Sequence, residues 1–357
     1  MTRDWADLRE ELLEVILSNL SAKDRFTFGL VCRSWNSVAT SVAKSSVCGH
    51  SPCMFYHRSN CLWKFVKYKD FSYMDFPQLY NAKICCSKYG WLLMSRDDGS
   101  LFFFDPFKEQ RIRELPKHKY PYATICFFNE PTSTNCIVVG ISNMLNTHKV
   151  IMGVLKHRKD EWKVNIYNRT RSEFQLSICT PILHCGKLYS LDVKGNVATF
   201  DMNGHDNGPS WYVYDSCLFP SWIHHKIEQQ FLIKLEEEEV LFAVFVAHDV
   251  RKVSVYRSKL RKENCMVQWV LVKDLGDKAF FVSHTASFAV TACSESMANK
   301  IYFTKFHGNS GVYFSLKTQK YHSFNGDFSS LKCYGLKELD FATWILPTIS
   351  WRMLTKE

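Results

Sequence analysis

Gly90-Trp-Leu-Leu-Met-Ser95, then Asp97-Asp-Gly99, then Ser100-Leu-Phe-Phe-Phe-Asp105 is the stretch that decides the fold. Two short apolar and aromatic runs flank an Asp-Gly pair, which suits a type I′ hairpin turn because glycine tolerates positive φ. The arrangement recurs. Lys187-Leu-Tyr-Ser-Leu-Asp192, a turn at Lys194-Gly-Asn196 and Val197-Ala-Thr-Phe-Asp201 form a second hairpin. Ile301-Tyr-Phe-Thr-Lys305, a turn around Gly308-Asn-Ser-Gly311 and Val312-Tyr-Phe-Ser-Leu316 form a third. Each runs on into a further strand, at Arg111–Leu115, Trp211–Tyr214 and Lys320–Phe324.

Working outward, two more units fit between these. One spans residues 136–168, with strands at Ile137–Ile141, Val150–Leu155 and Trp162–Tyr167. The other spans 230–275, with strands at Phe231–Leu235, Val240–Ala247, Lys252–Tyr256 and Val267–Val272. Units of about 40–50 residues with four short strands each are the pattern of β-propeller blades. A further unit would join residues 61–80 to Ala342-Thr-Trp-Ile-Leu-Pro347 and close the ring. The expected fold is therefore a small all-α module followed by an all-β domain, a β-propeller of five or six blades. The aromatic residues of the final strands, Trp162, Trp211, Trp269 and Tyr321, read as packing between blades, since large aromatic side chains are burial residues before they are ligand cages.

Only residues 8–42 carry helical periodicity. Leu8, Leu12, Val15, Ile16 and Leu20 recur at spacings of three to four, and Leu13 and Leu17 widen the stripe. Asp7 is read as the N-cap, with Glu10 and Glu11 where the helix dipole favours acids. Ser21-Ala-Lys-Asp24 reads as a capping box opening a second helix. The third segment offers Cys32, Trp35, Val38, Ala39 and Val42. The expected organisation is a helical module over residues 1–46, a linker over 47–60 and the propeller over 61–357. Three short helices in about 40 residues make a marginal core, and the pattern alone fits either a helical cap folded onto the rest of the chain or a stripe kept in part for a partner helix.

The order Trp5-Ala-Asp-Leu-Arg-Glu-Glu-Leu-Leu-Glu-Val-Ile-Leu-Ser-Asn-Leu20, then Asp24-Arg-Phe26, then Val31-Cys-Arg-Ser-Trp35-Asn-Ser-Val-Ala39 resembles the F-box. Arg9 stands where that family usually has proline, which pre-sets φ for a first helical turn. The resemblance implies binding to the Skp-type adaptor of SCF ubiquitin ligases, and through it to cullin. It implies that Leu8, Leu12, Ile16, Leu17, Leu20, Val31, Cys32 and Trp35 are shared between the module's core and the adaptor, with Trp35 the expected anchor. The β region is similar to plant F-box proteins with a kelch-like domain of unassigned function. Gly90-Trp91, Phe104-Asp-Pro106, Gly186-Lys-Leu-Tyr189, Val282-Ser-His-Thr-Ala286 and Trp344-Ile-Leu-Pro347 carry that likeness, although the double glycine of true kelch repeats is missing.

Composition agrees with a folded chain. Of 357 residues, 46% are hydrophobic and 15% aromatic, far from the balance of disordered chains. The net charge is +10, and residues 1–46 contribute six Lys/Arg against six Asp/Glu, so the excess lies in 47–357. No apolar leader opens the chain and Val240–Ala247 is too short to span a bilayer, so no membrane role is expected. The 14 cysteines hold no C-x-x-C pair and read as reduced residues of a cytoplasmic or nuclear protein. If they lie on a strand, Cys85 and Cys86 point to opposite faces and share no ligand.

Candidate catalytic groups are few. Ser283-His284 would face opposite sides of a strand, His224-His225 lacks a third ligand, and Glu236–Glu239 reads as a solvated hairpin tip. Phosphate-loop, dinucleotide, nucleophile-elbow and zinc-protease motifs are absent from the sequence. No catalytic activity, cofactor or metal is expected. Basic-aromatic stretches at Lys64–Lys69 and Lys117–Tyr120 are too short to favour nucleic acid. The reading is a substrate receptor that holds an unidentified target protein on its propeller for ubiquitination. Its rivals are an adaptor-bound scaffold outside a ligase and a propeller that binds a sugar or metabolite.

Overall fold

The computed structural model describes residues 5–20, 24, 27–45, 52–58, 62–67, 70–144, 147, 149–168, 174–202, 210–217, 227–235, 240–247, 252–261, 266–307, 310–324, 329–330, 336–338 and 342–347. The chain divides into two compact units, one within Met1–Ser51 and the other Pro52–Leu346.

In the first unit, a 3-10 turn at Trp5–Asp7 precedes helix α1, Glu10–Asn19, and helix α2 spans Arg33–Ser45. Arg9, not Asp7, occupies the N-cap position, at φ −63° and ψ 147° with no side-chain cap. Asp7 is taken up by the 3-10 turn, and the extended Leu8-Arg9 step separates it from the helix. The capping box read at Ser21 lies outside the described residues. Leu13, Leu17, Phe28, Val38 and Ala39 form the core of this unit.

The second unit is built from antiparallel meanders. The first blade places Ala342–Ile345 beside Cys53–Arg58, followed by Leu62–Lys67 and Asp70–Asp75. Cys53 stands opposite Ile345 and Tyr56 opposite Ala342, so a strand from the end of the unit completes the sheet begun at its start. The stretch read as a linker over 47–60 is thus a strand from Cys53 to Arg58. Cys53, Met54 and Phe55 are fully buried, which a linker would not bury. The second blade runs Ala82–Lys88, Trp91–Arg96, Leu101–Asp105 and Gln110–Leu115. The third runs Thr124–Phe128, Ile137–Asn143, Lys149–Lys156 and Lys163–Asn168.

The fourth blade (Ile182–His184, Lys187–Leu191, Val197–Asp201, Ser210–Cys217) and the fifth (Ile227–Lys234, Leu241–Ala247, Val253–Arg261, Met266–Val272) join through a three-residue parallel contact. They therefore share one eight-stranded sheet, one of five among the described residues. In the last sheet, Ser287–Thr291 lies outside Lys278–Val282, which pairs in parallel with Lys300–His307 before Ser310–Ser315 and Lys320–Ser323. Among the described residues the strands form five sheets, an all-β propeller within the range expected.

Turn chemistry differs from the expectation at one point. In the Asp97-Asp98-Gly99 hairpin only Gly99 has positive φ, at +78°, whereas a type I′ turn needs two such residues. Gly99 donates its N–H to the Arg96 carbonyl, and the Asp98 carboxylate accepts from the Ser100 N–H and hydroxyl. That is a three-residue loop, a type I turn closed by a left-handed glycine. The Asp98 side chain, which Lys117 also bridges at 2.7 Å, stabilises this form. True two-residue turns with both φ positive occur instead at Tyr89-Gly90 and Cys185-Gly186.

The final-strand tryptophans hold neighbouring blades together. Trp162 of the third blade donates its indole N–H to the Pro116 carbonyl, just past the second blade, at 2.9 Å. Trp211 of the fourth blade stacks on Tyr167 of the third at 6.2 Å and 17°. Trp269 of the fifth donates to the Gly195 carbonyl of the fourth at 3.1 Å. Tyr321 differs: it packs inside its own sheet against Phe303 and Phe314.

A second aromatic device sits in the third blade. Gly140 and Gly153 stand opposite each other on adjacent strands, and the Tyr122 ring lies over both. A Cβ at Gly153 would come within 2.0 Å of the Tyr122 hydroxyl. Gly153→Ala should therefore displace Tyr122 and destabilise the propeller by about 1–3 kcal/mol, the usual cost of overpacking. Tyr122→Ala in the same background should recover part of that loss in a denaturant titration, whereas additive losses would show that the ring is not the obstacle.

Candidate functional site

The apolar arc of α1 is wider than its core needs. At 100° per residue, Val15, Leu12, Ile16, Leu20, Leu13 and Leu17 sweep roughly 200° of the helix surface, twice the stripe that a core-facing helix requires. The fold divides this arc. Leu13 and Leu17 are 0% and 5% exposed and face Phe28, Val38 and Ala39, while Leu12 and Val15 are 52% and 59% exposed. Leu30 and Val31, in the turn that follows Phe28, are 51% and 58% exposed. Trp5 is the most open, at 71%.

The eight residues expected to share core and partner contacts thus separate. Leu12 and Val31 face solvent. Leu17 belongs to the core, and Leu8, Ile16, Leu20 and Trp35 are half-buried against it. Cys32 is half-buried. Trp35, the expected anchor, makes internal contacts: its ring lies 4.4 Å from that of Phe28, and its indole N–H donates to the Trp5 carbonyl at 3.1 Å. Val15 and Leu30 complete the exposed set although neither belongs to the eight. For Val15 the helical angle was available in the sequence, because it lies three residues from Leu12 and away from Leu13 and Leu17. Four exposed aliphatic side chains in so small a unit form an apolar surface of the kind at which partners dock.

Arg9 sits at the entry to this face. Its φ of −63° is the value at which proline is locked. Arg9→Pro should then raise the unit's stability by about 0.4–1 kcal/mol, by narrowing the unfolded ensemble. Circular dichroism melting of the full chain measures this, and a lower midpoint would mean that the Arg9 N–H or side chain makes a contact that proline loses.

The catalytic candidates do not assemble into a site. Ser283 and His284 lie in the turn between Lys278–Val282 and Ser287–Thr291. The Ser283 hydroxyl donates to the Ala286 carbonyl and accepts the Ala286 N–H, so it closes that turn. The His284 carbonyl accepts from the Thr180 hydroxyl at 2.8 Å, and its ring lies against Phe231. With the bond from the Ser87 N–H to the Thr285 carbonyl at 2.9 Å, these contacts tie the second, fourth and last sheets together. Lys117 is paired with Asp98, and His118 packs against Tyr122 and Trp162. His224-His225 and Glu236–Glu239 lie outside the described residues. Among the described residues no group of three or more His, Cys, Asp or Glu side chains could hold a metal ion, and no helix is long and apolar enough to cross a membrane.

Two family models match the chain: the F-box domain over residues 5–45 and the KIB1-4 beta-propeller over residues 62–324. The propeller match spans well over half of the 357 residues. The chain belongs to the KIB1-4 β-propeller family. It is an F-box protein of that family, in which an F-box precedes the propeller, and the F-box implies binding to a Skp-type adaptor. Neither family description names a catalytic activity. Among relatives in Arabidopsis thaliana, "F-box protein At4g00893" is 25% identical over 337 residues, covering 90% of this chain and 82% of that protein. "F-box/kelch-repeat protein At1g57790" is 26% identical over 345 residues, covering 89% and 88%. A crystal structure of the Cps50 (Swd1) beta-propeller domain aligns with 75% of this chain and 84% of its own, at 9% identity and a TM-score of 0.38.

Proposed function

We propose that this KIB1-4 family protein is the substrate-receptor subunit of an SCF-type ubiquitin ligase. The exposed set Leu12, Val15, Leu30 and Val31 on the F-box is the observation that carries the reading. Buried against an adaptor helix, each of these half-exposed side chains contributes about 0.8–1.5 kcal/mol of transfer free energy, roughly half the value for a fully exposed one. The adaptor links the protein to cullin, and the propeller holds a target protein. The receptor contributes to ubiquitination by proximity: a tethered target meets the ubiquitin-charged enzyme as a neighbour in one complex rather than by free encounter. Such a protein works in the cytoplasm or the nucleus.

The test is a reconstituted complex. Full-length protein co-expressed with a Skp-type adaptor, a cullin and its RING partner should purify as one assembly. Recovery of the adaptor complex without cullin would turn the reading toward a scaffold outside a ligase, and recovery of no adaptor would end it.

A further inference from the structure

Between the second and third blades lies a cleft of about 240 Å³. Its floor is apolar: Phe103 and Leu115 come from the second blade, Val138 and Leu155 from the third. Its rim is the turn Lys156-His157-Arg158-Lys159, with Pro131 and Thr132 opposite. Among the described residues three cations and no carboxylate line the cleft itself, and Glu130, Asp160 and Glu161 adjoin it in sequence. The turn is held in shape at both ends: Lys159 donates its N–H to the Lys156 carbonyl at 3.1 Å, and the His157 N–H donates to the Cys136 carbonyl at 2.9 Å. Arg158 adopts φ +57°, a left-handed conformation that turns normally give to Gly or Asn. Cys136, in the wall, is 4% exposed, and burial pushes its thiol up to about 11, so it stays protonated and contributes as a small apolar group.

The volume selects the class of ligand. Pockets for whole cofactors or drug-sized molecules run from about 300 to 1,000 Å³. This cleft is smaller and suits one or two apolar side chains of a bound chain. Its cations favour acidic residues on either side of that anchor. Single-stranded nucleic acid would want exposed aromatic platforms, whereas Phe103 is buried at 4% exposure in the floor.

We propose that this cleft is the target-docking site of the propeller, and that it takes an acidic protein segment with a single large apolar side chain as anchor. The proposal rests on the substrate-receptor reading above and gives that receptor its recognition chemistry. The aliphatic or aromatic anchor enters between the second and third blades. Asp or Glu residues flanking it face Lys156, Arg158 and Lys159.

Selection of a phage library of randomised dodecapeptides on the full-length protein tests it. Enriched sequences should carry one Leu, Phe, Ile or Met between acidic residues, and their affinity should weaken as salt rises. Two variants at exposed positions leave the fold alone: the charge reversal Lys156→Glu/Arg158→Glu/Lys159→Glu, and Thr132→Trp, which fills the mouth of the cleft. Each should weaken the selected peptides by at least about fivefold, the effect of several exposed charge pairs or of an occluded anchor. Enrichment of sequences without acids, peptides that bind the reversed variant equally well, or displacement by an oligo-dT strand that binds more tightly would each overturn it. Adaptor capture by the same preparations separates the two readings. Loss of adaptor binding with cleft binding intact ends the ligase assignment alone, and the reverse ends the cleft assignment alone.

Discussion

Leu12→Asp combined with Val31→Asp will weaken adaptor binding by at least about 30-fold, or 2 kcal/mol, while leaving the protein folded. Both side chains are more than half exposed, so the charge stands in water in the free protein and costs little there. In a complex it would be buried against an apolar helix without a partner, and an unpaired buried charge is among the most expensive changes an interface can suffer. Leu17→Asp is the contrasting variant. Leu17 is 5% exposed in the core of the unit, so this change should unfold the module and remove binding by that route. Titration by surface plasmon resonance, beside far-ultraviolet circular dichroism, distinguishes the two. Full-strength binding by the double variant would mean that the adaptor uses some other face.

The second large effect lies in the propeller. Trp269→Ala should cost about 3–5 kcal/mol, the usual range for truncating a buried tryptophan. Trp269 is 6% exposed, packs near Phe245 and Tyr256, and bonds to a carbonyl on the preceding blade. Its removal opens a cavity and leaves the buried Gly195 carbonyl without that donor. Trp269→Phe keeps most of the volume and should cost less, about 1–3 kcal/mol, mainly from the unpaired carbonyl. Whole domains are stable by only about 5–15 kcal/mol, so the alanine variant should unfold at a visibly lower denaturant concentration. A loss below 1 kcal/mol would show that the fourth and fifth blades are held by their sheet contact and not by the indole.

Which parts of this fold were legible in the sequence follows from where each strand sits. The hairpins at Trp91–Asp105, Lys187–Asp201 and Lys300–Ser315 announced themselves through turn residues between aromatic runs. The first strands of the second, third and fourth blades did not. Thr124–Phe128 is buried at all five positions, so it shows no alternation, and no Asp-Gly or Asn-Gly turn flags its ends. Ala82–Lys88 carries a bulge between Ile84 and Cys86, which breaks the simple two-face alternation assumed for Cys85 and Cys86. Ring closure was half legible. The partnership of the early strands with Ala342–Ile345 could be guessed from the tally of blades, but Cys53–Arg58, the strand that makes the pairing, read as linker. A pairing across nearly 300 residues leaves no local signal.

The candidate site shows the same limit in another form. The motif from Leu8 to Ala39 named the right region, and the width of the apolar arc on α1 implied two faces. Telling Leu12 from Leu17 needed α2 and Phe28 in place, because periodicity gives the angle between residues and not the direction of the core. Trp35 is expected to be shared between core and partner, and the fold shows its core side: the indole N–H and ring are engaged with Trp5 and Phe28 while the residue stays half-buried. The basic cleft left no motif at all. Phe103, Leu115, Val138 and the Lys156–Lys159 turn come from two blades and meet only after both have folded.

The measurement that bears most directly on this account is the mass of the co-expressed, co-purified complex of the full chain with a Skp-type adaptor, by light scattering on a sizing column. The account predicts a single peak with one copy of each protein, which dissolves into separate peaks for Leu12→Asp/Val31→Asp. A wild-type chain that elutes without adaptor, as the double variant does, would contradict it.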